Sequence, residues 1–284
     1  MNFDRRITPA RDDLAAATLK GRVEAAAYAE GVIKRAAQGR VALRRAPSPT
    51  ANLETELLYG EAFTAYEEKN GFVWGQCGFD SYVGYVAAEA LGAPSAAPTH
   101  RVMAARSFVF PVADLKRPPR DVLPFNARLV VTAMEGDYAR LDDGGFVYAG
   151  HIAPVKDAQK DFVAVAQRFM GVPYLWGGKT PDGFDCSGLI QSALDACGVA
   201  APRDTDMQEK ALGDAVAIRP DFQGLRRGDL IFWKGHVGVM VDAGTLLHAN
   251  AHHMAVAVEP LAVAATRVAA KGSPITSIKR LVAA

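Results

Sequence analysis

Four short apolar runs crowd the stretch from Arg226 to Leu261: RRGDLIFWK, HVGVMVD, TLLHAN and AVAVEPL. The turns between them are too short for crossover helices, so the runs are expected to pair mostly as antiparallel strands. Upstream, DFVAVAQRFMGV places Phe162, Val163, Val165, Ala166 and Phe169 at a helical period and stops at Gly171. SGLIQSALDA, Ser187 to Ala196, reads as a second helix ended by Gly198. Helices first and a sheet second make residues 156–284 an α+β domain.

From 39 to 155 the texture differs, with short β-like runs punctuated by Gly, Pro and Asp. A strand, a bend, a polar turn (EEKNGF, then MEGDYA) and a further strand occur twice. That repetition suggests two small β-barrels, over 39–93 and 94–155. Residues 1–38 have helical propensity interrupted by Gly21 and Gly31, and are expected to form an arm.

Thirty-two basic against 31 acidic side chains leave a net charge of +1. This balance gives no electrostatic case for a nucleic-acid or membrane partner. No apolar run approaches the ~20 residues of a membrane span. The opening MNFDRRITPARDD lacks the apolar core of a secretory signal, so a cytoplasmic setting is expected. Oligomeric state has no signature here. Cys77, Cys186 and Cys197 make neither a disulfide framework nor a zinc pattern.

Cys186 stands apart because GFDCSGLI puts it where a turn becomes a helix. There, unpaired N–H groups and the helix dipole favour a thiolate, and the same groups can receive an oxyanion. Cys77 and Cys197 suit packing. A cysteine nucleophile needs a base. With a hairpin turn centred on Ala243, position 236 faces 250 and 238 faces 248. His236 and His248 then share one face as diagonal neighbours, able to form a relay; a one-residue slip would separate them. The alternative for either histidine is packing or capping. His248 and His252 on a strand and loop do not present a metal pair, and no metal or other cofactor is expected.

PYLWGG (173–178), FDCSGL (184–189), PRDTDMQ (202–208), RRGDLIFW (226–233), GHVGVM (235–240) and LLHANA (246–251) resemble the motifs of NlpC/P60 cysteine peptidases. These are papain-like enzymes that cleave peptidoglycan stem peptides. The β-rich segments resemble the bacterial SH3-type modules that accompany such domains. The resemblance extends to γ-D-glutamyl-L-diamino acid endopeptidases acting as dipeptidyl-peptidases, with a short murein peptide as substrate. It implies that Cys186 is the nucleophile, His236 the base and His248 the orienting third member. Tyr174 would assist the oxyanion beside the Cys186 N–H. Asp185 and Ser187 would contact the substrate amine and backbone; Thr205 replaces a serine often found in such enzymes. Glu61 and Tyr82 would close one end of the substrate groove. An amine-reading Asp185 would convert a general cleft into one that releases dipeptides, although helix capping accounts for it too. Arg203 and Asp204 are expected to form a structural salt bridge. The alternatives are a non-catalytic scaffold that binds wall peptides, and a papain-like amidase or acyltransferase acting on another substrate.

Overall fold

A computed structural model describes residues 3–281. The chain divides into two compact units, Met1–Asp157 and Ala158–Ala284. The first unit is built of β-strands. Its largest sheet has seven strands, in the order Leu53–Leu58, Arg40–Arg44, Val83–Ala87, Phe72–Cys77, Ala62–Lys69, Val32–Ala36 and Leu91–Gly92. Leu43, Leu57, Phe63, Val73 and Val86 fill its core. A second cluster, including Val102, Leu123, Leu129, Leu141 and Val147, lies among shorter strands over residues 100–154.

The helical expectation for residues 1–38 is corrected. Among the described residues the first α-helix starts at Phe162, and Val32–Ala36 belongs to the seven-stranded sheet. Alanine's helical advantage amounts to only ~0.7 kcal/mol per residue over most other residues. Here it is overridden by a ladder that sets Val32 opposite Ala65 and Ile33 opposite Thr64.

The second unit carries α1 (Phe162–Gln167), α2 (Cys186–Ala196) and α3 (Thr205–Ala211), followed by the sheet strands, with α4 (Leu261–Ala269) before the last of them. Its six-stranded sheet runs Asp214–Val216, Ile275–Arg280, Asp229–Trp233, His236–Met240, Thr245–Asn250, Ala255–Pro260, antiparallel throughout. The four apolar runs therefore form the strands their turns require. Helices α3 and α4 and the Ile275–Arg280 strand add to the elements expected from the sequence. Pro260 ends the strand pairing and immediately precedes α4, a position at which proline's fixed φ is compatible with a helix start.

Ile231, Trp233, Met240, Leu246 and Ile278 form a core with Leu261 and Ala264 of α4. Helix α2 packs against the His236–Met240 and Thr245–Asn250 strands and is buried from Cys186 through Leu194. Burying Leu189, Ile190 and Leu194 contributes roughly 1.5–3 kcal/mol each, which anchors the helix and so fixes its N-terminus beside the sheet.

Candidate active site

Cys186 occupies the first helical position of α2, with Asp185 as the N-cap. Asp185 Oδ1 accepts the Gly188 N–H at 2.7 Å. The Cys186 N–H has no hydrogen-bond partner among the described residues, leaving a helix-end donor for an oxyanion. The thiol is 6% exposed. Thr205 Oγ1 lies 3.6 Å from Sγ, and the Val237 backbone N–H is directed at it. Burial, helped by the Asp185 charge, pushes the thiol up to about 11 against the lowering by Thr205 and Val237. This corrects the expected bias toward a resting thiolate: desolvation outweighs the helix end, so the neutral thiol needs a base.

The candidate base, His236, lies on the hairpin. Val239 pairs with Leu247 and Met240 with Leu246, the register expected from a turn centred on Ala243. Their ladder ends there, and side chains bridge the strands beyond it: His236 Nε2 is 2.8 Å from His248 Nδ1. Gly238 makes room, since a Cβ there would stand 3.1 Å from that of His248. His248 Nε2 in turn lies 2.8 Å from Glu259 Oε1. Arg267 of α4 closes the chain with two bonds to Glu259, each 2.5 Å. Burial holds His236 down at about 3, with repulsion from His248 adding to it. Burial also lowers His248 to about 4, against the pull of Glu259. The Arg267 hydrogen bonds keep Glu259 ionised, at about 2. At neutral pH the relay is thus two neutral imidazoles ending on a carboxylate.

Glu259 and Arg267 were absent from the sequence reading. His248 pairs with Ala257, so Glu259, two residues further along, projects from the same face. A lone acid in the apolar alternation of AVAVEPL was the available signal; nothing in the sequence indicated that α4 would bring an arginine to it. His248, His253 and Glu259 also bring ligand-type atoms within 4.8 Å of one another. Arg267 already engages both oxygens of Glu259, so a divalent cation there would meet a fixed positive charge.

Tyr174 is half-buried, and its hydroxyl is held above the usual tyrosine range by burial and by the charges of Cys186 and Asp185. It therefore lies in the same electrostatic environment as the thiol. Asp185 does not await a substrate. Its oxygens accept Gly177 N–H at 2.9 Å, Ser187 Oγ at 3.3 Å and the Arg203 guanidinium at 2.6 and 3.0 Å. Arg203 pairs with Asp185, and Asp204 occupies the N-cap position of α3. A substrate ammonium at Asp185 would have to share the carboxylate with Arg203. Ser187 is tied into the same network, accepting from Arg203 at 2.9 Å. Thr205 sits against the nucleophile. In the first unit Glu61 is buried and accepts the Leu58 N–H at 3.1 Å, while Tyr82 belongs to the core of the seven-stranded sheet, its hydroxyl 3.5 Å from Glu54.

Comparison with known proteins gives two family matches. Residues 171–268 match the NlpC/P60 family, and residues 43–91 match the bacterial dipeptidyl-peptidase Sh3 domain. A Bacillus subtilis (strain 168) protein named gamma-D-glutamyl-L-lysine dipeptidyl-peptidase is 36% identical over 140 residues, 44% of this chain and 46% of that protein. A Bacillus cereus (strain ATCC 10987 / NRS 248) protein of the same name is 32% identical over 132 residues, 44% and 38% respectively. The chain spans less than half the length of these curated relatives. The crystal structure of an NlpC/P60 family protein from Bacillus cereus ATCC 10987 superposes with a TM-score of 0.73 at 18% identity. That alignment covers 88% of this chain and 99% of that one, a likeness of fold. The helix-tip cysteine and the paired histidines lie in an NlpC/P60 family domain over residues 171–268, with a bacterial dipeptidyl-peptidase Sh3 domain upstream of it.

Proposed function

We propose that this chain is a cysteine peptidase that hydrolyses the bond between γ-D-glutamate and a diamino acid in short murein stem peptides. Such a peptide would carry a free N-terminal L-Ala, and the product would be L-Ala-D-Glu. The observation that carries the proposal is the unbroken series of contacts from Glu259 through His248 to His236, whose chain neighbour Val237 directs its N–H at the helix-tip thiol of Cys186. The names of the two Bacillus relatives supply the substrate class.

The neutral thiol gives its proton to His236 as sulfur attacks the γ-glutamyl carbonyl. The oxyanion is received by the Cys186 N–H, with Tyr174 nearby as a second donor. His236 then protonates the departing amine of the diamino acid and activates water to free the acyl-enzyme.

The test mixes the protein with L-Ala-γ-D-Glu-L-Lys or its diaminopimelate counterpart and follows release of L-Ala-D-Glu. Cys186→Ala is expected to abolish release, and undiminished turnover would remove the nucleophile assignment. Acetylating the substrate amine separates the dipeptidyl activity from a general endopeptidase, because only the former should lose nearly all its rate.

A further inference from the structure

We infer that Glu259, clamped by Arg267, is a positioning residue that sets the tautomers of both imidazoles and leaves the bare ring nitrogen of His236 for the Cys186 proton. The inference rests on the cysteine-peptidase reading and deepens it. An ionised carboxylate is acceptor-only. Glu259 is ionised because two Arg267 N–H groups bond its two oxygens. The atom facing it, His248 Nε2 at 2.8 Å, must therefore carry the hydrogen. A neutral imidazole has one N–H, so His248 Nδ1 is bare and accepts from its partner at 2.8 Å, His236 Nε2. The same rule leaves His236 Nδ1 without a hydrogen. Among the described residues that nitrogen is the one ring lone pair of the two imidazoles with no hydrogen-bond partner, and Cys186 lies against the N–H of the next residue, Val237.

When the S–H bond breaks and an N–H bond forms at His236 Nδ1, the ring becomes an imidazolium while sulfur keeps its electron pair. The new cation hydrogen-bonds His248, whose far side rests on the Glu259 carboxylate. The groups facing His248 are His236, Glu259 and the ring of His253, whose Nδ1–H donates to Asn250 Oδ1, 3.0 Å away. Arg267 stands behind Glu259. Without the carboxylate, His248 can present either nitrogen to His236, and half of those arrangements turn the relay the wrong way round.

The test has two arms. In full-length Cys186→Ala protein labelled with ¹⁵N-histidine, two-bond ¹H–¹⁵N correlations report each tautomer without any need for turnover. His236 and His248 should both be protonated at Nε2, and Nδ1 protonation of His248 would overturn the inference. Glu259→Gln should then give mixed or reversed tautomers in the same spectra. In the otherwise native protein, Glu259→Gln should lower kcat about a hundredfold or more, by analogy with loss of tautomer control in the Ser-His-Asp triad, while KM changes little. Arg267→Lys should keep more of kcat than Arg267→Met. Native kcat and unaltered tautomers in Glu259→Gln would defeat the idea, and thermal unfolding of each variant excludes misfolding as the cause of a loss. If the native protein cleaves no murein peptide, the functional proposal fails while the spectra still decide the tautomers.

Discussion

Cys186 has the residue type and position of a nucleophile, yet its surroundings disfavour its charge. Burial raises the thiol while it lowers His236, so the resting pair is neutral and proton transfer belongs to the attack itself. The Asp185–Arg203 pair beside it is almost wholly enclosed, the Arg203 side chain being 1% exposed. Breaking a buried pair from one side leaves an uncompensated charge, which costs about 3–5 kcal/mol. Arg203→Met should therefore lower the denaturant midpoint of the second unit by a corresponding amount, measurable by urea unfolding. A change below 1 kcal/mol would mean that the Asp185 charge does not depend on Arg203. Thr205 illustrates what residue identity alone conveys: its hydroxyl was legible in the sequence, whereas its placement on the thiol depended on where α3 begins.

Helix α2 can hold Cys186 at its tip only because the loop before it can come close. A Cβ on Gly188 would run into the carbonyl oxygen of Gly178 and crowd Asp185 Oδ1. Gly188→Ala is thus expected to cost ~1–3 kcal/mol by overpacking. It should also shift the Asp185–Cys186 turn, so turnover and Cys186 alkylation rates should fall together; loss of stability with full activity would contradict this account. Element by element, much was legible. The strands from Asp229 to Pro260 follow alternation and short turns, and the 236–248 register follows from symmetry about one turn. The amino-terminal arm was misread because alanine content resembles helix wherever a sheet edge is not known to be available. Helix α4 and the Ile275–Arg280 strand went unseen because LAVAATRVA and ITSIKR are too short for periodicity to separate them from loop.

At the scale of the whole molecule the buried titrating groups act together. His236, His248 and Glu259 all bind protons more weakly in the fold than at their ordinary values of 6.5, 6.5 and 4.5. The unfolded chain therefore takes up more protons as pH falls, and the stability these groups contribute rises from about pH 3 to 6.5. Cys186 has the opposite sign: its folded value lies above 9.0, so its contribution is lost as pH climbs from 9 toward 11. Thermal midpoints should thus plateau between about pH 6.5 and 9. The acid limb of kcat/KM should fall well below the ordinary histidine value, near the low imidazole values; a limb centred at 6.5 would mean that water reaches the relay. Each unit has its own apolar core, so composition and hydrophobic pattern were enough to separate a β-rich first part from an α+β second part. The sequence by itself determined the helix-tip place of Cys186, the meeting of His236 and His248 and the hairpin joining them, because local spacing dictates which side chains share a strand face. Only the tertiary structure decided that the thiol rests neutral, that Arg203 belongs to Asp185, and that Glu259 and Arg267 complete the relay. Those outcomes depend on desolvation and on pairings between elements distant in sequence, which no local pattern encodes.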